Sequence, residues 1–238
     1  MTSSPTVRWW DPRQPDWWVA ALFAIGSFCF ALGATPGYLR LVGDEADDIT
    51  YFVGSLFFTS AAWLQLLVST GAVRAGMRTR RAARWRTLAR SPRRPAWWAG
   101  VVQFAGTLLF NVSTGLALQK SLDAQQVNHR VWAPDVFGSI AFLVASGLAF
   151  ADVDHPWFHW RPKDLGWSVA TLNMVGSIAF GLSAVAAKVI LSSGELRDAT
   201  LANAGTFVGA VCFFVGALLL IPEEAEAERD QAPEPSTA

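Results

Sequence analysis

The sequence predicts an all-α integral membrane protein, a bundle of six transmembrane helices arranged as three pseudo-repeated helical hairpins. Three observations predict this fold. Hydrophobic residues make up 52% of the 238 residues and charged residues only 16%, whereas soluble chains carry roughly 25% charged residues. Six apolar runs have about the length that spans a hydrocarbon core. Each run also carries one copy of the same short motif.

The six runs divide the chain into a short N-terminal segment (residues 1–16), a transmembrane domain (17–221) and an acidic, proline-containing tail (222–238). We expect the tail to be disordered, because it holds too little apolar surface to offset the entropy of ordering. The runs themselves occupy residues 17–42, 49–72, 96–118, 132–151, 167–191 and 199–221.

Each run contains a glycine, a small residue, two variable positions and a phenylalanine. In order, the motif regions read AIGSFCFALGA, FVGSLFFTSAA, FAGTLLFNVST, VFGSIAFLVAS, MVGSIAFGLSA and FVGAVCFFVGA. The motif pairs are Gly26 and Phe30, Gly54 and Phe58, Gly106 and Phe110, Gly138 and Phe142, Gly176 and Phe180, and Gly209 and Phe213. The seventh and eighth residues after each glycine are small in every run.

These positions fall on one side of a helix, because an α-helix turns by about 100° per residue. Helices in lipid associate through close van der Waals contact, which small residues permit. The motif therefore predicts helix–helix contact surfaces, with each phenylalanine filling the space beside a glycine. Membrane helices are generally rich in glycine and alanine, but that tendency does not predict a fixed phenylalanine offset.

A longer period pairs the runs. Nine residues before the motif glycine, the first, third and fifth runs have Trp17, Trp97 and Trp167, while the other three runs have different residues. Tryptophan is common at membrane interfaces. The repeating unit is therefore predicted to be a two-helix hairpin, present three times.

The segment 74–94 predicts the orientation, since it holds nine arginines and no acidic residue. Basic loops remain in the cytoplasm, which predicts that both termini lie there; in a bacterium this corresponds to the inner (plasma) membrane. Under this assignment 14 of the 19 basic residues lie inside and 5 outside. The segment is either a topology determinant alone or also a contact for anionic lipid. The zero net charge gives no indication of a nucleic-acid partner.

Neutral polar residues occur at membrane depth and form a candidate polar lining. They are Gln103, Asn111, Asn173 and Asn203, with Gln65 as a further polar residue in the second run. Gln103 and Asn173 occupy the same position, three residues before the motif glycine. One interpretation is interhelical hydrogen bonding. The other is the lining of a small pore or pocket, shared with the motif hydroxyls of Ser27, Ser55, Thr107, Ser139 and Ser177.

Ionisable residues in a membrane are candidates for function, but the centres of the six runs hold none. Asp135 follows Pro134 and is interpreted as a helix-start acid, and Lys188 as a residue that reaches the interface from a helix end. His155 and His159 suggest a metal site only weakly, because Pro156 lies between them and metal binding needs several converging ligands. We predict no catalytic residue, no metal and no cofactor.

The phrases VGSLFFTSAA, QFAGTLLFNVSTGLAL, GSIAFLVASGLAF and NMVGSIAFGLSAVAA resemble the YrhK-like membrane proteins of bacteria, and the resemblance covers nearly all of residues 17–221. It implies an integral membrane protein and no catalytic residues. The expected function is a non-enzymatic membrane scaffold, sensor or assembly partner. The alternative is a small transporter or channel for a neutral or weakly polar solute.

Overall fold

The computed structural model describes residues 12–69, 95–153 and 161–230, and this part of the chain is almost entirely helical. The helices are α1 (Pro15–Gly33), α2 (Tyr38–Val42), α3 (Asp44–Ser69), α4 (Pro95–Ala117), α5 (Ala124–Val127), α6 (Ala133–Val153), α7 (Leu165–Ala186) and α8 (Ala199–Asp230). A π-helical turn, Asn128–Trp132, joins α5 to α6. Within the described residues, β-structure is limited to one isolated bridge, between Val189 and Leu196.

Six helical segments are long and apolar enough to cross a membrane, so the all-α membrane fold is confirmed. They are Pro15–Gly33, Asp44–Ser69, Trp97–Ala117, Ala124–Ala151, Leu165–Ala186 and Ala199–Pro222. The shortest, α1, has 19 residues and is therefore about 28 Å long, close to the roughly 30 Å of a hydrocarbon core.

The six spanning helices form a closed ring in chain order. Helix α3 packs between α1 and α4, α6 packs between α4 and α7, and α8 packs on both α7 and α1. Successive spanning helices run in opposite directions. The end where α1 begins and α8 leaves the bundle is called here the terminal end, and the end with loops 34–43, 118–132 and 187–198 is called the hairpin end. That the three hairpins are copies of one unit stays a prediction from the sequence.

Aspartates begin three of the helices by accepting hydrogen bonds from free backbone N–H groups. The Asp164 carboxylate accepts from Trp167 N–H at 3.1 Å, and that of Asp198 accepts from Leu201 N–H at 2.9 Å. Asp123 forms a reciprocal capping box with Gln126 at the start of α5. Both the hairpin end and the terminal end therefore have helix starts fixed by local polar contacts.

Two spans are shorter than the sequence predicts. The first run was predicted to continue to residue 42, but α1 ends at Gly33 because Pro36 and Gly37 follow, and Gly37 has a φ of 92°. Few residues other than glycine adopt this conformation. The fifth run was predicted to reach residue 191, but α7 ends at Ala186. The following chain turns back, and Ile190 N–H donates to the Glu195 carbonyl at 2.8 Å.

The fourth span begins earlier than predicted, and this corrects the interpretation of Asp135. Helical backbone begins at Ala124 and continues through the π-turn into α6, so Asp135 does not lie at a free helix N-terminus. The π-turn precedes Pro134, which cannot donate a backbone hydrogen bond. There the Ala133 N–H donates to the Asn128 carbonyl, a wider bond that accommodates the proline inside a continuous helix.

The last apolar span ends at Pro222, next to the predicted boundary at residue 221, but the helix itself does not end there. Helix α8 continues through Pro222 to Asp230, so the first part of the predicted disordered tail is helical. Alanine and glutamate, which dominate this stretch, have high helix propensity. Extending an existing helix also requires no new nucleation. Residues 231–238 lie outside the described part of the chain.

Candidate functional site

The motif glycines of each hairpin face one another. A Cβ atom added to Gly26 would lie 2.9 Å from the Gly54 carbonyl oxygen, and one added to Gly209 would lie 2.9 Å from the Gly176 carbonyl oxygen. In the middle hairpin, the corresponding distance from Gly106 to the Gly138 carbonyl oxygen is 3.2 Å. The two backbones of each hairpin therefore meet in close contact, and in the first and last hairpins an added Cβ would force a neighbouring group to shift.

Each glycine also receives the motif phenylalanine of its partner helix. A Cβ on Gly209 would lie 2.7 Å from the Phe180 ring, and one on Gly54 would lie 2.9 Å from the Phe30 ring. The reciprocal contacts exist as well, because Gly26 faces Phe58 and Gly176 faces Phe213. The absence of a side chain at each glycine thus creates the space that the opposite ring fills.

The six motif phenylalanines meet at the centre of the ring of helices, and all six are buried. Those of α1, α4 and α7 form one triangle, with ring centroids 5.9 to 6.4 Å apart. Those of α3, α6 and α8 form a second triangle, with centroids 5.6 to 6.3 Å apart. Within each hairpin the two rings lie 5.2 to 5.6 Å apart and join the triangles. These distances are those of aromatic contact. This set of six rings is called here the aromatic core.

The motif hydroxyls are buried where neighbouring helices pack against each other. Ser55 of α3 bonds Thr114 of α4 at 2.9 Å, and Ser177 of α7 bonds Ser146 of α6 at 2.7 Å. Both bonds link neighbouring hairpins. Thr107 donates to the Phe104 carbonyl of its own helix, whereas the hydroxyls of Ser27 and Ser139 have no hydrogen-bond partner within the described residues.

Two adjoining cavities, of about 220 Å³ and about 250 Å³, lie between the aromatic core and the terminal end. They share Gln65 of α3, Gln103 of α4, Ala149 of α6, Asn173 of α7 and Leu220 of α8. Helix α1 contributes Phe23 to the smaller cavity and Asp16 and Val19 to the larger one. All six spanning helices therefore line this space, which we call the amide cavity.

The structure brings together part of the predicted polar lining. Gln103 and Asn173, which share a position in the motif, both line the amide cavity. Asn173 also packs against the other helix of its hairpin, because a Cβ added to Gly216 would lie 3.2 Å from its Oδ1 atom. Gln65 joins them, and its Oε1 atom is buried without a hydrogen-bond partner within the described residues.

The other predicted lining residues lie elsewhere. Asn203 is exposed near the start of α8, and Asn111 is partly buried with an unpartnered Oδ1 atom. Neither residue lines the amide cavity, and the motif hydroxyls do not line it either. Leaving a buried acceptor unpaired costs roughly 1–3 kcal/mol, so Asn111 and Gln65 are both energetically unusual positions.

The sequence contained a signal that Gln65 belongs to this site. It lies eleven residues after the motif glycine Gly54, and eleven residues bring a helix back to nearly the same side. Gln65 therefore continues the inward-facing stripe of Gly54 and Phe58 toward the terminal end. The rim residues, such as Asp16 and Gly166, carry no comparable pattern and are identified only by the packing of the six helices.

At the hairpin end, the loop after α7 is tied to the π-turn before α6. Asn128 donates to the Val189 carbonyl at 2.8 Å and accepts from the Val189 N–H at 3.0 Å. Trp132 donates from its indole to the Ala184 carbonyl at 2.8 Å, and the Lys188 ammonium lies 5.0 Å from the centre of the Trp132 ring. Lys188 therefore has an aromatic partner at the hairpin end.

A second polar contact at the hairpin end joins Lys120 to α3. Its ammonium forms an ion pair with Asp48, and the Lys120 side chain is about half exposed. Such an exposed pair contributes little to stability. Its structural effect is to hold the loop after α4 against the beginning of α3.

No cluster of three or more metal-ligating side chains occurs among the described residues. The predicted histidine pair, His155 and His159, lies in the segment 154–160 outside those residues, as does the Arg-rich segment 74–94. No protein-family model, curated protein or solved structure matches this chain.

Proposed function

We propose that this chain is a non-enzymatic membrane scaffold, sensor or assembly partner that does not conduct solutes across the bilayer. The observation that carries the proposal is the aromatic core. Six buried rings from all six spanning helices are in contact at the centre of the bundle. A solute cannot cross a close-packed centre without displacing those side chains, because protein interiors are packed as densely as organic crystals.

We further propose that the protein lies in the bacterial inner membrane with both termini in the cytoplasm. The charge distribution supports this orientation, since 14 of 19 basic residues then lie on the inner side. The terminal end and the amide cavity would then face the cytoplasm. The Arg-rich segment 74–94 would lie at the same surface, where anionic lipid headgroups attract arginine.

We also propose membership of the YrhK-like family. The support is the resemblance of the repeated glycine and phenylalanine phrases, which extend over nearly all of residues 17–221. This resemblance implies no catalytic residues.

A transporter for a small neutral solute is the second candidate, and the amide cavity favours it. Gln65, Gln103 and Asn173 give the terminal half of the bundle axis a polar lining. In a transporter the aromatic core would be the closed gate of an alternating cycle, and the cavity would be open to one side only.

Solute flux distinguishes the two candidates. The full chain is reconstituted into liposomes, and the release of neutral solutes (glycerol, urea and acetamide) is compared with that of protein-free vesicles. We expect equal rates, because the aromatic core blocks the path. Release that saturates with solute concentration and falls in Asn173→Leu, but not in the exposed control Asn203→Leu, would contradict the proposal and favour the transporter.

A further inference from the structure

The amide cavity has the form of a binding site at one end of the bundle. Phe23 and Phe213 line its inner part, and Asp16 lies at the start of α1 near the terminal end. All six spanning helices contribute side chains to its wall. A molecule in this cavity would therefore lie among all six helices without passing the aromatic core.

The wall offers hydrogen bonds that the protein does not use. The Gln65 Oε1 atom is buried and has no partner within the described residues, so the position favours a guest that donates a hydrogen bond. The carboxamides of Gln103 and Asn173 line the same space, and each carries both donors and acceptors. A low local dielectric strengthens such bonds.

The described lining residues carry little charge. Among them Asp16 alone is ionisable, and it already interacts with another group of the protein. Lysine, arginine and histidine are absent from the part of the lining that the structure describes. An uncharged guest therefore fits these residues better than a charged one, whose lost hydration they would replace only in part.

The volume of the cavities limits the size of a molecule that could bind there. The larger cavity measures about 250 Å³, the space of about eight water molecules in the liquid. Pockets for drug-sized ligands begin at roughly 300 Å³. Either cavity alone therefore suits a molecule of a few non-hydrogen atoms, with apolar contact from Ala149 and Leu220, which line both.

We propose that the amide cavity binds a small, uncharged molecule of the primary amide type, with an N–H group donating to Gln65 Oε1 and a carbonyl accepting from Gln103 or Asn173. The assignment goes beyond the proposed function, since binding in this cavity needs no flux. It would make the protein a sensor whose ligand binds in a cavity lined by all six helices. The binding assignment and the proposed function are tested separately, because one experiment measures ligand binding and the other measures solute transport.

The test uses trifluoroacetamide as a fluorine-labelled probe and the full-length protein in lipid nanodiscs. We expect a saturable change of the probe's ¹⁹F resonance. Acetamide should compete with the probe, whereas N,N-dimethylacetamide, which has no N–H donor, should compete at least about 5-fold more weakly, the effect of one neutral hydrogen bond. This comparison uses only the unaltered protein and so does not depend on the folding of a variant.

Three variants assign the binding to this cavity. Gln65→Met keeps the length of the side chain and removes its acceptor, so we expect about 5-fold weaker binding. Ala149→Leu fills the shared part of the cavity and should abolish binding. The exposed control Asn203→Leu should bind as the unaltered protein does. Thermal unfolding checks that each variant is folded.

Two results would overturn the assignment. A change of the ¹⁹F resonance that rises linearly with probe concentration and equals that of empty nanodiscs would show partition into lipid, with only water in the cavity. Equal competition by acetamide and N,N-dimethylacetamide would show that no N–H donor is recognised. Saturable binding that persists in both Gln65→Met and Ala149→Leu would place the probe at another site.

Discussion

At single residues, the decisive feature is the missing side chain of the motif glycines. Gly209 is buried, and the space in front of its Cα atom is filled by the Phe180 ring and by the backbone of Gly176. Glycine in a helix costs roughly 1 kcal/mol relative to alanine. In lipid this cost is offset because two helices can approach closely enough for extensive van der Waals contact.

Replacing this glycine should separate the helices of the last hairpin. In Gly209→Ala the new Cβ would lie 2.7 Å from the Phe180 ring and 2.9 Å from the Gly176 carbonyl oxygen. Because one of these neighbours is backbone, we expect a destabilisation of about 1–3 kcal/mol. The measurement is the unfolding free energy in mixed micelles.

Gly147 of α6 provides the matched control. A Cβ added there meets only the terminal carbon of Met174, at 3.9 Å, so Gly147→Ala should be neutral or stabilising by up to about 1 kcal/mol. If both alanine variants were equally stable, the glycine contacts would not hold the hairpin together.

At the scale of helices, the connections at the hairpin end are held by particular side chains. Asn128 forms two hydrogen bonds with the backbone of Val189, in the manner of a β-bridge partner. It thereby fixes the loop between α7 and α8 against the π-turn of the second hairpin. The contact joins two hairpins outside the motif positions.

Removing this side chain should loosen the loop. Asn128→Ala leaves the Val189 N–H and carbonyl groups without these partners, and we expect a loss of about 1–3 kcal/mol in local stability. Hydrogen–deuterium exchange of residues 187–198 is the measurement, with His129→Ala as control because His129 is adjacent and exposed. Equal exchange in the two variants would show that Asn128 does not restrain the loop.

The elements also show how far the sequence determines this structure. Apolar length and the repeated motif were sufficient for the six spans, because membrane insertion depends on composition over about 20 residues. Helix ends were predicted less well. Residues 187–191 are apolar enough for a span, but tertiary contacts such as Asn128 with Val189 hold them in a loop. The continuation of α8 past Pro222 was missed because its composition resembles disordered chains.

The candidate site was only partly predictable, because the sequence does not give the rotation of each helix about its own axis. Gln103 and Asn173 were recognised from their shared position in the motif, and both line the amide cavity. Asn203 was expected there too, yet it is exposed. A polar residue at membrane depth does not show which side of its helix faces the centre of the bundle. The side that faces the centre depends on how each helix is rotated about its own axis in the closed ring.

For the whole molecule, the aromatic core is the structural centre. There the motif rings of all six spanning helices are in contact, and the core separates the amide cavity from the hairpin end. Because lipid is as apolar as a phenylalanine ring, the core gains stability from packing contacts and not from removal of apolar surface from water. The closed ring of helices therefore depends on how well these rings fit.

Loss of one ring should destabilise the whole bundle. Phe142 is 2% exposed and contacts the rings of Phe58, Phe110 and Phe213. We expect Phe142→Ala to cost about 1–3 kcal/mol, less than the roughly 3–5 kcal/mol typical of soluble cores, because only packing is lost. Phe137 lies in the same helix and is 61% exposed, so Phe137→Ala should change the midpoint of thermal unfolding little. Similar losses in both variants would contradict a central role for the motif rings.

An experimental density map of the protein in lipid nanodiscs, at a resolution that shows side chains, tests the central claim most directly. The account predicts six crossings of the bilayer and two triangles of phenylalanine rings in contact at the axis, with the amide cavity on one side only. A continuous aqueous column through the axis, or motif phenylalanines turned toward the acyl chains, would contradict it.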